Sequence, residues 1–497
     1  GLGDWLKAQA APGARIGFDP WLHTRAEIDK IAAALEGTGI TLVPGDNLVD
    51  RIWADQPDPP AGAVRAQPEE FTGATAAEKR ARIAAVLAEA GQTAVVLTLP
   101  DSISWLLNIR GSDVPRNPVV QALAVLHADG VLDLCIDPAK LDESLRAHLG
   151  PEVRLHPADG LPHLLTGLGG PVRLDPASAP VALWQALGDR AVAGTDPCLL
   201  PKACKTGAEI EGARAAHLRD AVAMCRFLAW LDAEAPEGRL TEIAVAQRLE
   251  GFRRETNALQ DISFESIVGA GAHGAIVHYR VTEGTDRPVR PGELLLVDSG
   301  GQYVDGTTDI TRTVAVGAPP AEAAEAFTRV LQGMIAISRA RFPKGLAGRD
   351  LDPLARIALW QAGQDYDHGT GHGVGSFLSV HEGPARIART GEVPLGPGMI
   401  LSNEPGHYRE GHWGIRIENL IVVIPAPDLP GADPGREMYA FETLTQVPID
   451  RRLIVTAMLG AAERAWIDAY HAGVLDAVGP RLAPATRDWL AAACAPL

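Results

Sequence analysis

The chain has 497 residues, 46 % of them hydrophobic, and a formal net charge of −17, which allows about three domains with cores of their own. So acidic a surface repels polyanions, which argues against nucleic-acid binding or a phosphate-gripping role. No run of about 18 apolar residues occurs, so no membrane span is expected, and Gly1-Leu2-Gly3-Asp4 lacks the basic and apolar segments of a signal peptide.

The first recognisable elements form a degenerate repeat. Ile16-Gly17-Phe18-Asp19-Pro20, a helical stretch and Leu42-Val43-Pro44-Gly45-Asp46 read as strand, turn, helix, strand. Leu134-Cys135-Ile136-Asp137-Pro138, a helical stretch and Leu155-His156-Pro157-Ala158-Asp159 repeat the pattern. Between them, Gln56-Pro57-Asp58-Pro59-Pro60-Ala61-Gly62 reads as a linker, because its prolines suit neither helix nor ladder. Ala76–Ala90 has an amphipathic helical period and Val95–Leu99 an apolar strand pattern. The second copy has about 75 residues between the linker and Asp137, whereas the first has only eighteen before Asp19. A strand-helix-strand piece of that size has too few partner strands to cover its apolar faces. The sequence is therefore expected to begin inside a domain. Five cysteines, Cys135, Cys198, Cys204, Cys225 and Cys494, form no CxxC pair, which suits reduced thiols in a cytoplasmic protein.

A second boundary is expected at Gly194-Thr195-Asp196-Pro197, and the character changes from about residue 207. Ala208–Leu231 is predicted as a long helix and Leu294–Val297 as a buried strand. Turn signals at Gly300-Gly301 and Asp305-Gly306 make 293–315 antiparallel strands. Pro319-Pro320 suits the start of a helix over Ala321–Arg341, and Leu351–Gln361 is helical again. Ile400–Glu404 and Gly414–Val423 read as strands separated by the Pro405-Gly406 turn, and after Val447-Pro448-Ile449-Asp450 the chain turns helical. Two helix-then-hairpin halves predict a pseudo-symmetric α+β domain.

Chemistry concentrates at five positions. Asp298 ends an apolar strand in Leu296-Val297-Asp298-Ser299-Gly300, where an unpaired charge is costly. Asp309 returns in Thr307-Thr308-Asp309-Ile310-Thr311-Arg312, and a hairpin brings the two carboxylates together. Glu404 and Glu418 repeat the arrangement in the second half, and His372 sits in the glycine-rich 369–375 segment. Adjacent carboxylates repel unless a cation or proton lies between them. Four carboxylates and one imidazole form a hard, oxygen-rich set that suits two ions of Mn²⁺, Co²⁺ or Zn²⁺. Taken singly, Asp298 reads as easily as a hydrogen-bonded cap. The glycine-rich segment lacks the Lys-Ser/Thr ending of a phosphate loop. His273, His407 and His412 have only proximity in their favour.

Seven ordered motifs strengthen the case. They are Ile276-Val277-His278-Tyr279, Val297-Asp298-Ser299-Gly300, 305–313, His368-Gly369-Thr370-Gly371-His372-Gly373, His381-Glu382-Gly383-Pro384, Asn403-Glu404-Pro405-Gly406 and Gly414-Ile415-Arg416-Ile417-Glu418-Asn419. In this order they resemble the pita-bread metallopeptidases, specifically the aminopeptidase P family in its long, eukaryotic-like form. The resemblance extends upstream through Trp105-Leu106-Leu107-Asn108-Ile109-Arg110-Gly111 and into the C-terminal tail.

It implies a pita-bread (creatinase/aminopeptidase-like) α+β catalytic domain over residues 205–440. Creatinase N-terminal-type α/β modules would precede it, a partial first over 1–56 and a second over 61–200, and a helical extension would follow over 441–497. It also implies hydrolysis of the N-terminal Xaa-Pro bond of peptides by a hydroxide bridging two divalent ions, most often Mn, with Zn or Co as alternatives. Asp298, Asp309, His372, Glu404 and Glu418 would be the ligands, with Asp309 and Glu418 shared by both ions. Glu404 would also carry a proton to the leaving nitrogen. His278 and His381 would polarise the substrate carbonyl, and His368, Arg416 and Tyr408 would shape the proline side. The expected partner is a peptide with proline second, with no nucleic acid and no membrane, and the expected assembly is a cytoplasmic homodimer. The rival readings are a prolidase restricted to dipeptides and a metal-free, creatinase-like protein.

Overall fold

Three Thr-x-x-Glu sequences set the starts of helices. At Thr24, Thr75 and Thr206 the hydroxyl accepts the backbone N–H of the glutamate three residues on, and that carboxylate accepts the threonine N–H. Each capping box satisfies two orphan donors at once. The computed structural model describes all of residues 1–497, and the chain divides into two compact units, 1–69 with 74–201 and 70–73 with 202–497.

In the first unit, β1 (Arg15–Phe18), α1 (Arg25–Ala34) and β2 (Thr41–Pro44) form one strand-helix-strand copy. β1 and β2 pair in parallel as a two-stranded sheet. Leu22, Leu48 and Ile52 of this copy are exposed. The next elements are α2 (Ala76–Glu89), β3 (Ala94–Leu97), β4 (Leu123–His127), β5 (Leu132–Cys135), α3 (Glu143–Leu149), β6 (Val153–His156), β7 (Val172–Leu174) and β8 (Ala191–Ala193). Their six-stranded sheet has the order β8-β7-β3-β4-β5-β6. β5 and β6 are parallel and joined through α3, so the second copy repeats the geometry of the first.

The second unit packs helices against its sheets. Its elements are α4 (Gly207–Glu234), α5 (Glu242–Arg254), β9 (Ile267–Ala270), β10 (Leu294–Ser299), β11 (Ile310–Ala315), α6 (Ala321–Ser338), β12 (Arg341–Pro343) and α7 (Gly348–Trp360). They continue with β13 (Gly371–Gly373), β14 (Glu382–Ile387), β15 (Ile400–Asn403), β16 (Gly406–Arg409), β17 (Trp413–Arg416), β18 (Asn419–Pro425), β19 (Met438–Thr443), α8 (Ala461–Val478) and α9 (Pro484–Ala493). One sheet is β9-β10-β11, and the largest is β12-β19-β18-β15-β13-β14. Phe227, Leu249, Val268, Leu295, Val314, Val474 and Leu490 pack α4, α5 and the C-terminal helices on the first sheet. Phe327, Leu331 and Met334 of α6 pack on Trp413 and Ile415 of β17.

Three predicted spans differ from the structure. The single strand expected over Gly414–Val423 is two: β17 forms a hairpin with β16, and β18 pairs with β15. Ile417 and Glu418 make the crossing between sheets, because the two halves of the span satisfy their backbone groups with different partners. The 293–315 region is likewise divided. β10 pairs with β11, while Gly301–Tyr303 and Gly306–Thr307 join Asp261–Ile262 in a separate three-stranded sheet. The helix expected to reach Arg341 stops at Ser338, and Arg341 enters β12.

Candidate active site

Register places the carboxylates. Asp298 in β10 lies opposite Thr311 of β11, and Asp309, two residues before Thr311, returns to the same face. On the other sheet, Asn403 and Asn419 form the final pair of β15 and β18, and Glu404 and Glu418 are the next residues beyond that pair. The sheets meet here: Thr313 Oγ1 donates to Arg416 O at 3.0 Å, and Glu418 N donates to Thr311 O at 3.1 Å. Glycine permits the close approach. A Cβ on Gly371 would lie 1.9 Å from Ser402 O, and one on Gly414 would lie 1.7 Å from Gly274 O. Only a hydrogen fits at either place.

His372 on β13 completes the group. Its Nδ1 lies 3.0 Å from Gly373 O, which assigns the proton to Nδ1 and leaves the Nε2 lone pair free. That Nε2 is 3.5 Å from Asp309 Oδ2 and 3.4 Å from Glu404 Oε1. The ligand atoms of Asp309, His372 and Glu418 all lie within 4.8 Å of one another.

The electrostatics fit cations. Arg416 is the ion-pair partner of Asp298, at 2.6 Å, and approaches Glu404 at 4.0 Å. One guanidinium against four carboxylates leaves three negative charges to neutralise. Asp298 Oδ1 and Glu418 Oε1 are buried without a hydrogen-bond partner, a state that is costly unless something else binds them. Burial first, and the carboxylates of Asp298 and Glu404 second, hold Asp309 well above the ordinary carboxylate range. Burial, then Asp309 and Glu404, do the same to Glu418, and burial raises Glu404. Two divalent ions would bring four positive charges, enough for these three and one bound hydroxide, and the oxygen-rich set with one imidazole suits them.

Around this centre lies a cleft of about 580 Å³. All five acidic and imidazole residues, with His278, His368, His381 and Arg416, line it. Tyr408 stands behind: its hydroxyl accepts from Arg416 Nη1 at 2.7 Å and is 2.9 Å from His368 Nε2. Burial, with Arg416 adding to it, lowers His368 to about 4. Crowding by protein atoms, with His372 second, lowers His381 to about 4, although its residue remains solvent-accessible along the cleft. Both imidazoles are therefore neutral at neutral pH. His273, by contrast, pairs with Glu242 at 2.9 Å. A second concavity of about 230 Å³, lined largely by Leu228, Leu231, Val314 and Trp489, holds no comparable ligand set.

Two supports escaped the sequence reading. Arg312 is 1 % exposed and donates to Thr311 O, Glu418 O, Val447 O, Pro448 O and Asn419 Oδ1, which fixes the strand crossing at Glu418. On α7, Asp352 accepts from Thr370 Oγ1 at 2.6 Å and Arg356 donates to His368 O at 2.8 Å. The spacing of Asp352 and Arg356, four apart on one helix, was the available signal.

Comparison with known proteins agrees with this geometry. The signature of metallopeptidase family M24 matches residues 211–425, that of the creatinase/prolidase N-terminal domain 55–209, and that of the C-terminal region of peptidase M24 437–497. "Aminopeptidase P2" of Arabidopsis thaliana is 39 % identical, over 98 % of this chain and 74 % of its own length. The chain belongs to metallopeptidase family M24. A second M24 relative, the "Probable Xaa-Pro aminopeptidase P" of Laccaria bicolor, is also 39 % identical, over 99 % of this chain and 79 % of its own. Among solved structures, the X-prolyl aminopeptidase of Caenorhabditis elegans superimposes with a TM-score of 0.95 at 36 % identity, covering 100 % of this chain and 83 % of that one. That protein is described as a cytosolic enzyme with a di-nuclear active site. The pita-bread catalytic fold and the creatinase-type N-terminal module are thus those of M24.

Proposed function

We propose that this chain is an aminopeptidase that removes the residue preceding proline at the N-terminus of peptides, using two divalent metal ions. The observation that carries the reading is the gathering of four carboxylates and one imidazole around one cleft, with two of the carboxylate oxygens buried and orphaned. The names of the relatives and the di-nuclear site of the C. elegans protein support it.

Asp298, Asp309, His372, Glu404 and Glu418 would hold the ions. When bound, divalent ions acidify water to a nucleophile and polarise the scissile carbonyl. The protein supplies the rest. Proline's nitrogen carries no N–H in the peptide, so it leaves as a secondary amine that needs a proton. Glu404, raised by burial and hydrogen-bonded by Ser402 Oγ at 2.9 Å, is the carboxylate that takes and delivers that proton. His278 and His381 face the cleft and donate N–H to the carbonyl oxygen as negative charge develops there. His368 and Arg416 form the wall on the proline side, with Tyr408 hydrogen-bonded to both from behind.

The same reading makes manganese the resident ion and the enzyme a cytoplasmic homodimer, with its modules at 1–56, 61–200, 205–440 and 441–497. Its five free thiols and the cytosolic description of the C. elegans relative favour that compartment. No helix is long and apolar enough to cross a membrane. A panel of Arg-Pro-Pro, Ala-Pro and Arg-Ala-Pro tests the assignment. The first should be cleaved well and the other two poorly. Preference for Ala-Pro would make the enzyme a prolidase, and equal kcat/KM on Arg-Pro-Pro and Arg-Ala-Pro would make it a general aminopeptidase.

A further inference from the structure

Glu382 follows His381 directly, and its side chain is 1 % exposed. Two lysines enclose it: Lys205 Nζ is 2.5 Å from Oε1 and Lys202 Nζ is 3.2 Å from Oε2. Their side chains are 2 % and 1 % exposed. Lys202 lies in a short helix, Leu199–Ala203, and Lys205 immediately precedes α4. Lys205 is itself pinned, its N–H donating to Gly398 O at 3.0 Å. Three buried charges are a poor way to gain stability, because desolvation consumes most of the attraction and apolar packing does as well. They do fix one geometry sharply, since breaking either contact strands a buried charge.

What they fix is the start of β14. Glu382 pairs with Gly373, the residue after the ligand His372. Glu382 is the first residue of β14, so anchoring its side chain fixes the backbone from which the preceding residue, His381, reaches into the cleft. The His381 ring has an edge contact with His372, centroids 4.2 Å apart at 90°, and no hydrogen bond within the protein holds it. Its place is set through its backbone. We propose that Glu382, clamped by Lys202 and Lys205, is a positioning residue for His381 in the hydrolytic reaction. This rests on the aminopeptidase reading and on the role of His381 in it.

The test is a kinetic cycle of Lys205→Met, His381→Ala and the double variant on Arg-Pro-Pro, with bound metal measured for each. Lys205→Met should lower kcat roughly tenfold, the scale of a misplaced catalytic group, with KM within about twofold and metal retained. Lys205→Arg should restore most of the rate. The double variant should be no slower than His381→Ala alone, since Lys205 acts through His381. Should Lys205→Met fail to fold, the same cycle is run with Lys202→Met, which leaves the shorter ion pair in place. A normal loss in His381→Ala with wild-type kcat in the lysine variant, or losses that multiply in the double variant, overturns the clamp alone. Wild-type kcat in His381→Ala overturns the role of His381 and the clamp with it.

Discussion

Asp309→Asn gives a counterintuitive expectation: it should abolish activity in the presence of metal and yet stabilise the metal-free fold. In the absence of ions, Asp309, Glu418 and their neighbours crowd one buried volume, and the ligand atoms of Asp309, His372 and Glu418 lie within 4.8 Å of each other. Two unit charges at that separation repel by roughly 3.5 kcal/mol at an effective dielectric constant of about 20. Proton uptake relieves part of this, so about 1–3 kcal/mol should remain at pH 8. The sign follows from the raised carboxyls. A group whose folded pKa lies above its unfolded value contributes stability below the unfolded value and loses it as pH rises through the folded one. Burial and the neighbouring carboxylates raise Asp309 and Glu418 in this way. The chelated wild type should therefore lose stability from mildly acidic to alkaline pH, and chelated Asp309→Asn should lose less. Urea unfolding of both chelated proteins at pH 5 and pH 8 measures this, with the gap in favour of the variant wider at pH 8. Saturating metal should reverse the order, because the wild type gains about 4 kcal/mol at a thousand times Kd and the variant does not. A chelated variant less stable than chelated wild type at pH 8, or a gap independent of pH, would refute the crowding of charge on which the metal assignment rests.

His381→Ala should lower kcat by roughly 10²-fold with metal content unchanged, as expected for loss of one oxyanion donor; loss of metal would move His381 into the ligand set. His471 Nε2 accepts from Ile449 N at 3.1 Å, and burial, followed by Arg312 and Arg451, lowers it from 6.5 to about 4. Its contribution is full above pH 6.5 and lost as pH falls toward 4, about 3 kcal/mol in all. Unfolding free energies from pH 7.5 to 4.5 should therefore fall more steeply for the wild type than for His471→Gln, and parallel curves would contradict this. Gly371→Ala places a Cβ 1.9 Å from Ser402 O; it should cost about 3 kcal/mol or more and weaken metal retention, and a stable, fully loaded variant would show that β13 can move aside.

The gathering of the five candidate ligands around one cleft was legible because they sit in distinctive local contexts: an aspartate ending an apolar strand, an Asp-Ile-Thr-Arg return, a histidine among glycines. The α+β class and the strand-helix-strand repeat were legible too, since β1–β2 and β5–β6 are parallel pairs around matching helices. What escaped was non-local. Nothing in 414–423 marks a change of sheet at Glu418, because the break depends on which strands arrive on either side. Arg312 and the Lys202–Glu382–Lys205 group resemble ordinary surface charges until the fold buries them. The glycines of 369–375 could be set aside as a phosphate loop, but the reason for Gly371 was hidden: Ser402's carbonyl lies where a side chain would go.

Titration of metal-free protein with Mn²⁺, following hydrolysis of Arg-Pro-Pro at enzyme concentrations well above Kd, tests the central claim most directly. Activity should be absent without metal, rise with added ion, and level off at two equivalents per chain. Full turnover in rigorously metal-free protein, or saturation at one equivalent, would contradict the two-metal account.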